Sequence, residues 1–177
     1  MSVEKAVEER AVRAKMASRQ LVHHSSEQRS VALCRAAELL GMRRSKIMRA
    51  NAIDLEGAQS KALSAAMIDR LTITDARIED MANGLREVAA QDDPVGRVLE
   101  EWTRPNGLQI QKVSVPLGVV GIIYESRPNV TIDAAGLCLK SGNACLLRGG
   151  SEAINSNLAL AAVMQEGLVD SGLPESA

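Results

Sequence analysis

Two short segments carry polar side chains at positions where α/β proteins bind their ligands. Residues 124–129 read YESRPN and residues 148–151 read RGGS. The apolar runs 119–124 and 144–147 lead into them and predict two buried strands. Because ligands bind at the carboxyl ends of parallel strands, we predict a single site built from both segments.

The second segment has features suited to a phosphate group. Arg148 supplies a fixed charge and a fork of hydrogen-bond donors. Gly149 and Gly150 would let the backbone approach a ligand closely, and a helix that opens at Ser151 would present unpaired N–H groups and a positive dipole end. A plain strand-to-helix turn explains the two glycines equally well. The G-x-G-x-x-G pattern of dinucleotide-binding folds is absent.

Asn129 in the first segment has two interpretations. Its side chain could donate a hydrogen bond to a developing oxyanion during a reaction. It could instead cap the helix that is expected to begin at this residue. The residue type fits both roles equally well.

The spacing of apolar residues predicts strand, helix, strand and helix in the last third of the chain. The first helix is expected from about Asn129 to Lys140, where Ser141-Gly142 ends it, and the second from about Ser151 to Val169. Connections this short predict a right-handed βαβ unit in a parallel sheet. Doubly wound sheets have about five or six strands, so we expect a truncated chain that stops where the next strand should begin.

The preceding part of the chain, up to about residue 93, has apolar residues at helical spacing and predicts a helical layer. Ser25 and Gln28 form a capping-box pattern at the start of one helix. Its buried face is predicted from the following residues: Val31, Cys34, Ala37 and Leu40. Another helix is predicted to begin at Thr74 with Asp75 in its first turn. Its buried stripe is predicted as Ile78, Met81, Ala82, Leu85 and Val88.

Residues 95–116 predict a β-hairpin around the turn Arg104-Pro105-Asn106-Gly107, because Asn-Gly tolerates positive φ. Leu108 and Ile110 share one face, whereas the apolar phase switches after Lys112. We therefore expect a bulge or bend near Lys112 and the end of the arm at Pro116.

Composition limits the classes of partner. Hydrophobic residues make up 46% of the chain, enough for a core, but Phe is absent and Trp102 and Tyr124 are the only aromatic residues. A net charge of −1 offers no general attraction to nucleic acid or anionic membranes. No apolar run is long enough for a membrane span, and the first residues lack the pattern of a signal peptide. We expect a small-molecule or subunit partner and a cytoplasmic location.

The cysteines and histidines indicate no metal site. Cys34, Cys138 and Cys145 lack metal-ligand spacing, do not form an even disulfide set and are each expected to pack in the core. His23 and His24 fall at a helix-to-helix boundary and are expected on the surface.

A family resemblance extends over nearly the whole chain. Residues 116–131, PLGVVGIIYESRPNVT, resemble the signature segment of the gamma-glutamyl phosphate reductases, also called glutamate-5-semialdehyde dehydrogenases. The segments 137–143 and 146–151 continue the similarity, and 67–72 and 93–96 match upstream. These enzymes belong to the aldehyde dehydrogenase superfamily, and the chain resembles the amino-terminal portion, less than half, of a family member.

The resemblance implies an enzymatic reaction. Family members reduce L-glutamate 5-phosphate with NADPH to L-glutamate 5-semialdehyde and release phosphate, in proline biosynthesis. A cysteine thiolate displaces phosphate to give a thioester, which hydride from the nicotinamide then reduces. The family's nucleophile lies downstream of residue 177, so we expect this chain by itself to be inactive.

The resemblance also implies roles for single residues. Arg148 matches a position that contacts the adenosine ribose, which suggests a contact with the 2′-phosphate of NADP(H). The expected cofactor-binding residues are Tyr124, Glu125, Ser126, Arg148, Gly149, Gly150 and Ser151. Arg127 and Asn129 lie where the superfamily's loop passes beside nicotinamide and substrate. In this superfamily a hairpin at this point serves oligomerisation, so Trp102, Leu108 and Ile110 are expected at a subunit contact. Packing against the protein's own catalytic domain is the alternative.

The expected fold is thus α/β, an incomplete Rossmann-like parallel sheet of an aldehyde dehydrogenase cofactor domain. Residues 1–93 form its helical part, 94–116 an oligomerisation hairpin and 117–177 a truncated NADP-binding βαβα unit. The catalytic domain is expected to be absent. A different class of function is also open, a non-catalytic fragment that binds nucleotide or associates with other subunits.

Overall fold

The computed structural model describes residues 2–177 and contains seven α-helices and four strands in two small sheets. The helices are α1 (Val3–Leu21), α2 (Ser26–Met42), α3 (Arg44–Ser60), α4 (Ala65–Leu71), α5 (Asp75–Ala90), α6 (Asn129–Lys140) and α7 (Ile154–Asp170). The strands are β1 (Val98–Thr103), β2 (Gln109–Val113), β3 (Val119–Ile123) and β4 (Ala144–Arg148). The predicted α/β class and order of elements are confirmed.

Local sequence signals account for the starts of several helices. Ser25 and Gln28 form the predicted capping box before α2: the Gln28 N–H donates to Ser25 Oγ at 3.2 Å, and the Ser25 N–H donates to Gln28 Oε1 at 3.0 Å. Thr74 caps α5 through the N–H of Arg77, as expected. Both contacts join residues three positions apart, so the local sequence is enough to predict them.

The predicted buried face of α2 was partly wrong. Val31 and Cys34 are exposed, and the helix instead buries a neighbouring stripe around Leu33, Ala36 and Leu40. The stripe shifts because α2 packs against two helices, α5 on one side and α7 on the other. The stripe of α5 was predicted correctly: Ile78, Met81, Ala82 and Leu85 are buried, and Val88 is partly buried against the same core.

One aliphatic core joins the helical layer to the βαβ unit. It draws buried residues from α2, α5, α6 and α7, among them Leu33, Leu85, Ile132 and Leu160. Lys140 is also buried, with its Nζ donating to Ser30 Oγ at 3.0 Å and to the Ala89 carbonyl at 2.8 Å. Helices α5 and α6 thus pack against the same core and against each other.

The predicted parallel unit is present. Strands β3 and β4 pair in parallel through α6, from Val119 opposite Ala144 to Ile123 opposite Arg148. Gly142 takes a φ of +72° directly after α6, which is the left-handed cap expected at that position. The expectation that β3 is covered on both faces is not met within the described residues, since Ile123 is 80% exposed.

The predicted hairpin is also present, with β1 antiparallel to β2 and Gly107 at a φ of +85° in the turn. The irregularity lies on the first arm, where the register shifts between Val98 and Glu100, opposite Lys112 and Val113. The bulge is therefore near Lys112 in space, although the extra residue is Leu99.

The base of the hairpin is attached to the helical layer. Buried Arg29 on α2 donates to both carboxylate oxygens of Asp93, at 3.0 and 2.9 Å, and Asp93 accepts the Val95 N–H at 3.0 Å. All of β1 and most of β2 are exposed, and no helix of residues 2–177 makes more than marginal contact with the hairpin. None of the helices within that range is long and apolar enough to cross a membrane.

Candidate functional site

The two polar segments meet at one edge of the parallel sheet, as predicted. Ile123 and Arg148 are paired at the ends of β3 and β4, and the Tyr124 N–H donates to the Arg148 carbonyl at 3.0 Å. An open cleft of about 610 Å³ lies at this edge, a volume in the range of small-molecule sites. Its walls are Met67, Arg70, Ile123, Tyr124, Glu125, Ser126, Arg127, Arg148, Gly150 and Glu152. We call it the sheet-edge cleft.

Several charged side chains on the walls of this cleft face solvent, among them Arg148 and Glu125. Arg148 is exposed on its wall and forms no ion pair within 4 Å among residues 2–177. Glu125 is exposed as well and lies 3.9 Å from Arg70, an ion pair too long and too hydrated to contribute much stability. The guanidinium of Arg148 is therefore free to bind an anionic ligand.

Glu152 is a site residue that the sequence analysis missed. Its carboxylate accepts the Ser126 hydroxyl at 2.6 Å and the Ser151 hydroxyl at 3.1 Å. The hydrogen bond from Ser126 is the main cause that lowers the pKa of Glu152. An acidic residue in the first turn after Gly150 was the available signal. Ser126 and Ser151, both expected to bind cofactor, thus donate to Glu152.

The two glycines are required by the packing of the chain itself. A Cβ on Gly149 would lie 2.3 Å from Asn157 Nδ2 and 3.0 Å from the Tyr124 ring. A Cβ on Gly150 would lie 2.1 Å from Ser126 Oγ and 3.0 Å from the Ser126 backbone nitrogen. A Cβ at either position would therefore force its neighbours to shift, which favours the strand-to-helix turn as the reason for the glycines.

Tyr124 directs its hydroxyl into the protein. The phenol oxygen is 2.7 Å from Thr131 Oγ1, which in turn donates to Asn157 Oδ1 at 3.1 Å. Burial raises the pKa of Tyr124 above its ordinary value. Tyr124 lines the cleft with its ring, while its hydroxyl fastens the loop after β3 to α6 and α7.

The helix that was expected to open at Ser151 begins differently in the structure. Residues Ser151–Ala153 form a 3₁₀ turn, and α7 begins at Ile154. Asp54 from α3 accepts the N–H groups of Asn155 at 3.1 Å and Ser156 at 2.7 Å, together with the side chains of both residues at 2.8 and 2.6 Å. This buried carboxylate takes up the N–H groups of Asn155 and Ser156, so these two groups are not available to a phosphate.

A second cleft, of about 490 Å³, lies between α5 and the start of α6. We call it the helix cleft. Its lining residues are Asp69, Arg70, Thr72, Ile73, Arg77, Asp80, Met81, Arg127, Pro128, Asn129 and Asp133. Arg70 and Arg127 line both clefts, so the two spaces adjoin. Arg127 and Asn129, the expected substrate residues, are thus brought together beside the cofactor residues.

The cap interpretation of Asn129 was wrong. Pro128 holds the cap position of α6, and no side chain caps this helix. Asn129 is the first helical residue and donates from Nδ2 to Asp133 Oδ2 at 3.1 Å. Its amide lies on the wall of the helix cleft, where a hydrogen bond to a ligand remains sterically open.

None of the cysteines is arranged as a nucleophile. Cys138 is buried, and Cys145 in β4 is partly buried. A hydrogen bond with Cys138 and burial together raise the pKa of Cys145, so its thiol stays protonated. Cys34 is exposed, contrary to expectation, on the outer face of α2 away from both clefts.

His23 is exposed and His24 half-buried at the α1–α2 boundary, and no three potential metal-ligating side chains of residues 2–177 cluster together.

Comparison with known proteins finds close relatives along the whole chain. A gamma-glutamyl phosphate reductase of Thermodesulfovibrio yellowstonii is 49% identical over 175 residues, which cover 99% of this chain and 42% of the relative. One of Desulfatibacillum aliphaticivorans is 54% identical over 176 residues, with the same coverage of 99% and 42%. No family model matches the chain. The chain spans about two-fifths of the length of the curated relatives it matches.

Solved structures give the same result. The crystal structure of a gamma-glutamyl phosphate reductase from Thermotoga maritima has a TM-score of 0.92 at 43% identity and covers 95% of this chain and 41% of that one. A putative aldehyde dehydrogenase of Bacillus subtilis has a TM-score of 0.73 at 19% identity, with coverage of 97% and 35%, which shows a shared fold. By sequence and by fold, the chain is a homologue of a portion of the gamma-glutamyl phosphate reductases and has the fold of the aldehyde dehydrogenases.

Proposed function

We propose that this chain forms the cofactor-binding part of an NADP-dependent gamma-glutamyl phosphate reductase. In the reaction, L-glutamate 5-phosphate is reduced to L-glutamate 5-semialdehyde and phosphate is released, a step of proline biosynthesis. The observation that carries the proposal is the meeting of 124–129 and 148–151 at one sheet edge, in a chain 49% identical to a reductase of that name. The names of these relatives support the reaction and the substrate.

The residues around the sheet-edge cleft fit a phosphorylated nicotinamide cofactor. One aldehyde dehydrogenase of similar fold, from Corynebacterium glutamicum, is described as NAD-dependent. The exposed guanidinium of Arg148 can donate two hydrogen bonds to a 2′-phosphate. The Glu152 carboxylate, which already accepts a hydrogen bond from Ser126, can accept another from a ligand hydroxyl group. NADPH, when bound, supplies the hydride.

The other site residues would position ligands rather than react. Tyr124 and the two glycines hold the loop after β3 against β4, which keeps the cleft in shape. Arg127 and the Asn129 amide line the helix cleft, where they would donate hydrogen bonds to the substrate phosphate or to a developing oxyanion and stabilise its charge. The thiolate that attacks the acyl phosphate would come from outside residues 2–177.

Replacement of Arg148 with alanine tests the cofactor assignment. We expect NADPH binding to weaken roughly tenfold and NADH binding to change little, because NADH lacks the 2′-phosphate that the guanidinium contacts. Fluorescence titration of the purified protein with each cofactor measures the two dissociation constants. Arg97→Ala, which removes an exposed arginine from the hairpin, is the matched control. An equal loss of affinity for NADPH and NADH would contradict the assignment.

The hairpin from 94 to 116 is proposed as the oligomerisation element. Trp102 lies directly opposite Ile110 and is 42% exposed, so an apolar pair stands on one face of the ribbon. An isolated two-stranded ribbon is marginal in water, and a subunit contact would bury this pair. Packing against another domain of the same protein is the alternative.

We expect Ile110→Asp to weaken self-association at least tenfold, because a charge would be buried at the contact. Sedimentation at several concentrations, with circular dichroism to check folding, measures the effect. Gln111→Asp places the same charge on the opposite face of β2 and should leave association unchanged. Association of a folded Ile110→Asp variant at the parent's strength would remove Ile110 from the interface.

A non-catalytic role in nucleotide binding or subunit association is the second candidate. It is favoured by the absence of a suitably placed thiol in the described part of the chain. A nucleotide-binding role also requires the sheet-edge cleft to bind a nucleotide, so the Arg148 experiment tests it as well, whereas a role in subunit association alone is tested by the Ile110 experiment.

A further inference from the structure

The charged side chains of the helix cleft are arranged by sign. Arg70 and Arg127 stand on the wall shared with the sheet-edge cleft, whereas Asp80 and Asp133 line the helix cleft alone. A ligand that fills this space would therefore meet positive charge on the wall shared with the sheet-edge cleft and negative charge on walls that belong to the helix cleft alone.

Some of these charges are already neutralised within the protein. Arg77 donates to Asp69 Oδ1 at 3.1 Å and to the Thr72 carbonyl at 2.6 Å, which commits Arg77 and Asp69 to each other. Asp133 accepts only the neutral amide of Asn129, and Asp80 forms no ion pair within 4 Å among residues 2–177. The carboxylates of Asp80 and Asp133 therefore have no cationic partner among residues 2–177.

Asp133 is the carboxylate of this pair that belongs to α6. Burial raises the pKa of Asp133, and the hydrogen bond from Asn129 only partly opposes this effect. Asp133 is nevertheless an exposed residue on the wall of the helix cleft, so its carboxylate is accessible to a ligand cation that enters the cleft. The first turn of α6 has no side-chain cap, so its Arg127 end favours an anion in addition.

We propose that the helix cleft binds the amino-acid end of the substrate, with Asp133, assisted by Asp80, as the counter-ion of its α-ammonium group. The inference rests on the proposed function, because L-glutamate 5-phosphate has an ammonium group at one end and a dianionic phosphate at the other. In this pose the phosphate end lies at Arg70 and Arg127, beside the cofactor. Asp133 then determines specificity: it distinguishes an amino acid phosphate from the acyl phosphate of a plain dicarboxylic acid.

Two stable phosphonates test the proposal on the purified 177-residue chain. L-2-amino-5-phosphonopentanoate carries the ammonium group, and 5-phosphonopentanoate lacks it. Calorimetry and amide chemical-shift changes measure their dissociation constants. We expect the amino compound to bind about tenfold more tightly than 5-phosphonopentanoate. Asp133→Asn should abolish this preference and change the dissociation constant of 5-phosphonopentanoate by no more than about twofold. Glu87→Gln, which removes an exposed carboxylate of α5 outside both clefts, should change neither constant.

The outcomes separate this inference from the proposed function. Absence of a preference for the amino compound, or a preference that survives in a folded Asp133→Asn variant, would overturn the inference. NADPH titrated into the same protein reports on the sheet-edge cleft independently. Arg148-dependent NADPH binding without amino-acid selectivity would leave the proposed function standing and remove the role of Asp133.

Discussion

Asp54→Ala is expected to lower the free energy of unfolding by roughly 3 kcal/mol, because the buried carboxylate accepts four hydrogen bonds at the start of α7. Its removal leaves the N–H groups of Asn155 and Ser156 without an acceptor. It also opens a cavity between α3 and α7. The positive end of the α7 dipole also loses its counter-charge. Urea unfolding followed by circular dichroism measures the change.

The control for this experiment is Asp92→Ala, which removes an exposed carboxylate after α5 and should change stability by less than about 0.5 kcal/mol. A loss below about 1 kcal/mol for Asp54→Ala would show that water replaces the carboxylate at little cost. Such a result would also reopen the amino terminus of α7 as an anion site.

No reduction of L-glutamate 5-phosphate above the uncatalysed rate is expected from the purified 177-residue chain. Covalent catalysis requires an accessible thiolate beside the acyl group. Cys145 is held protonated, Cys138 is buried, and Cys34 lies on the far side of α2. Consumption of NADPH in the presence of the acyl phosphate measures the rate. The reductase of Thermotoga maritima serves as the active control in the same assay.

A measurable rate that Cys145→Ala abolishes would contradict this expectation. A rate lost only in Cys34→Ala would contradict it too, and would place the reaction on the outer surface of α2. The two variants should otherwise behave like the parent chain, and circular dichroism confirms that each is folded.

The elements of the fold were largely predictable, because their signals are local. The caps at Ser25 and Thr74 and the turn at Gly107 each involve contacts among residues a few positions apart. Errors arose where tertiary packing decided the outcome. On α2, the approach of α5 and α7 moved the buried stripe away from Val31 and Cys34, which the helical period alone could not indicate.

The candidate site was predictable in its parts but not in its connections. The segments 124–129 and 148–151 follow two strands, and parallel pairing brings such ends together. The partners of their side chains were not predictable. Ser126 donates a hydrogen bond to Glu152, which lies 26 positions later in the sequence. The Asn129 side chain donates to Asp133 and does not cap the helix.

The sequence by itself determined the order of helices and strands, the hairpin turn and the two segments that form the sheet-edge cleft, because hydrogen bonds between near neighbours and hydrophobic periodicity specify these features. Only the tertiary structure decided that the amino terminus of α7 is closed. Asp54 reaches Asn155 across 101 positions, and no periodicity relates two residues that far apart. The packing of α5 on α6 likewise created the helix cleft, since its opposing charges come from separate helices that meet only after the core has formed.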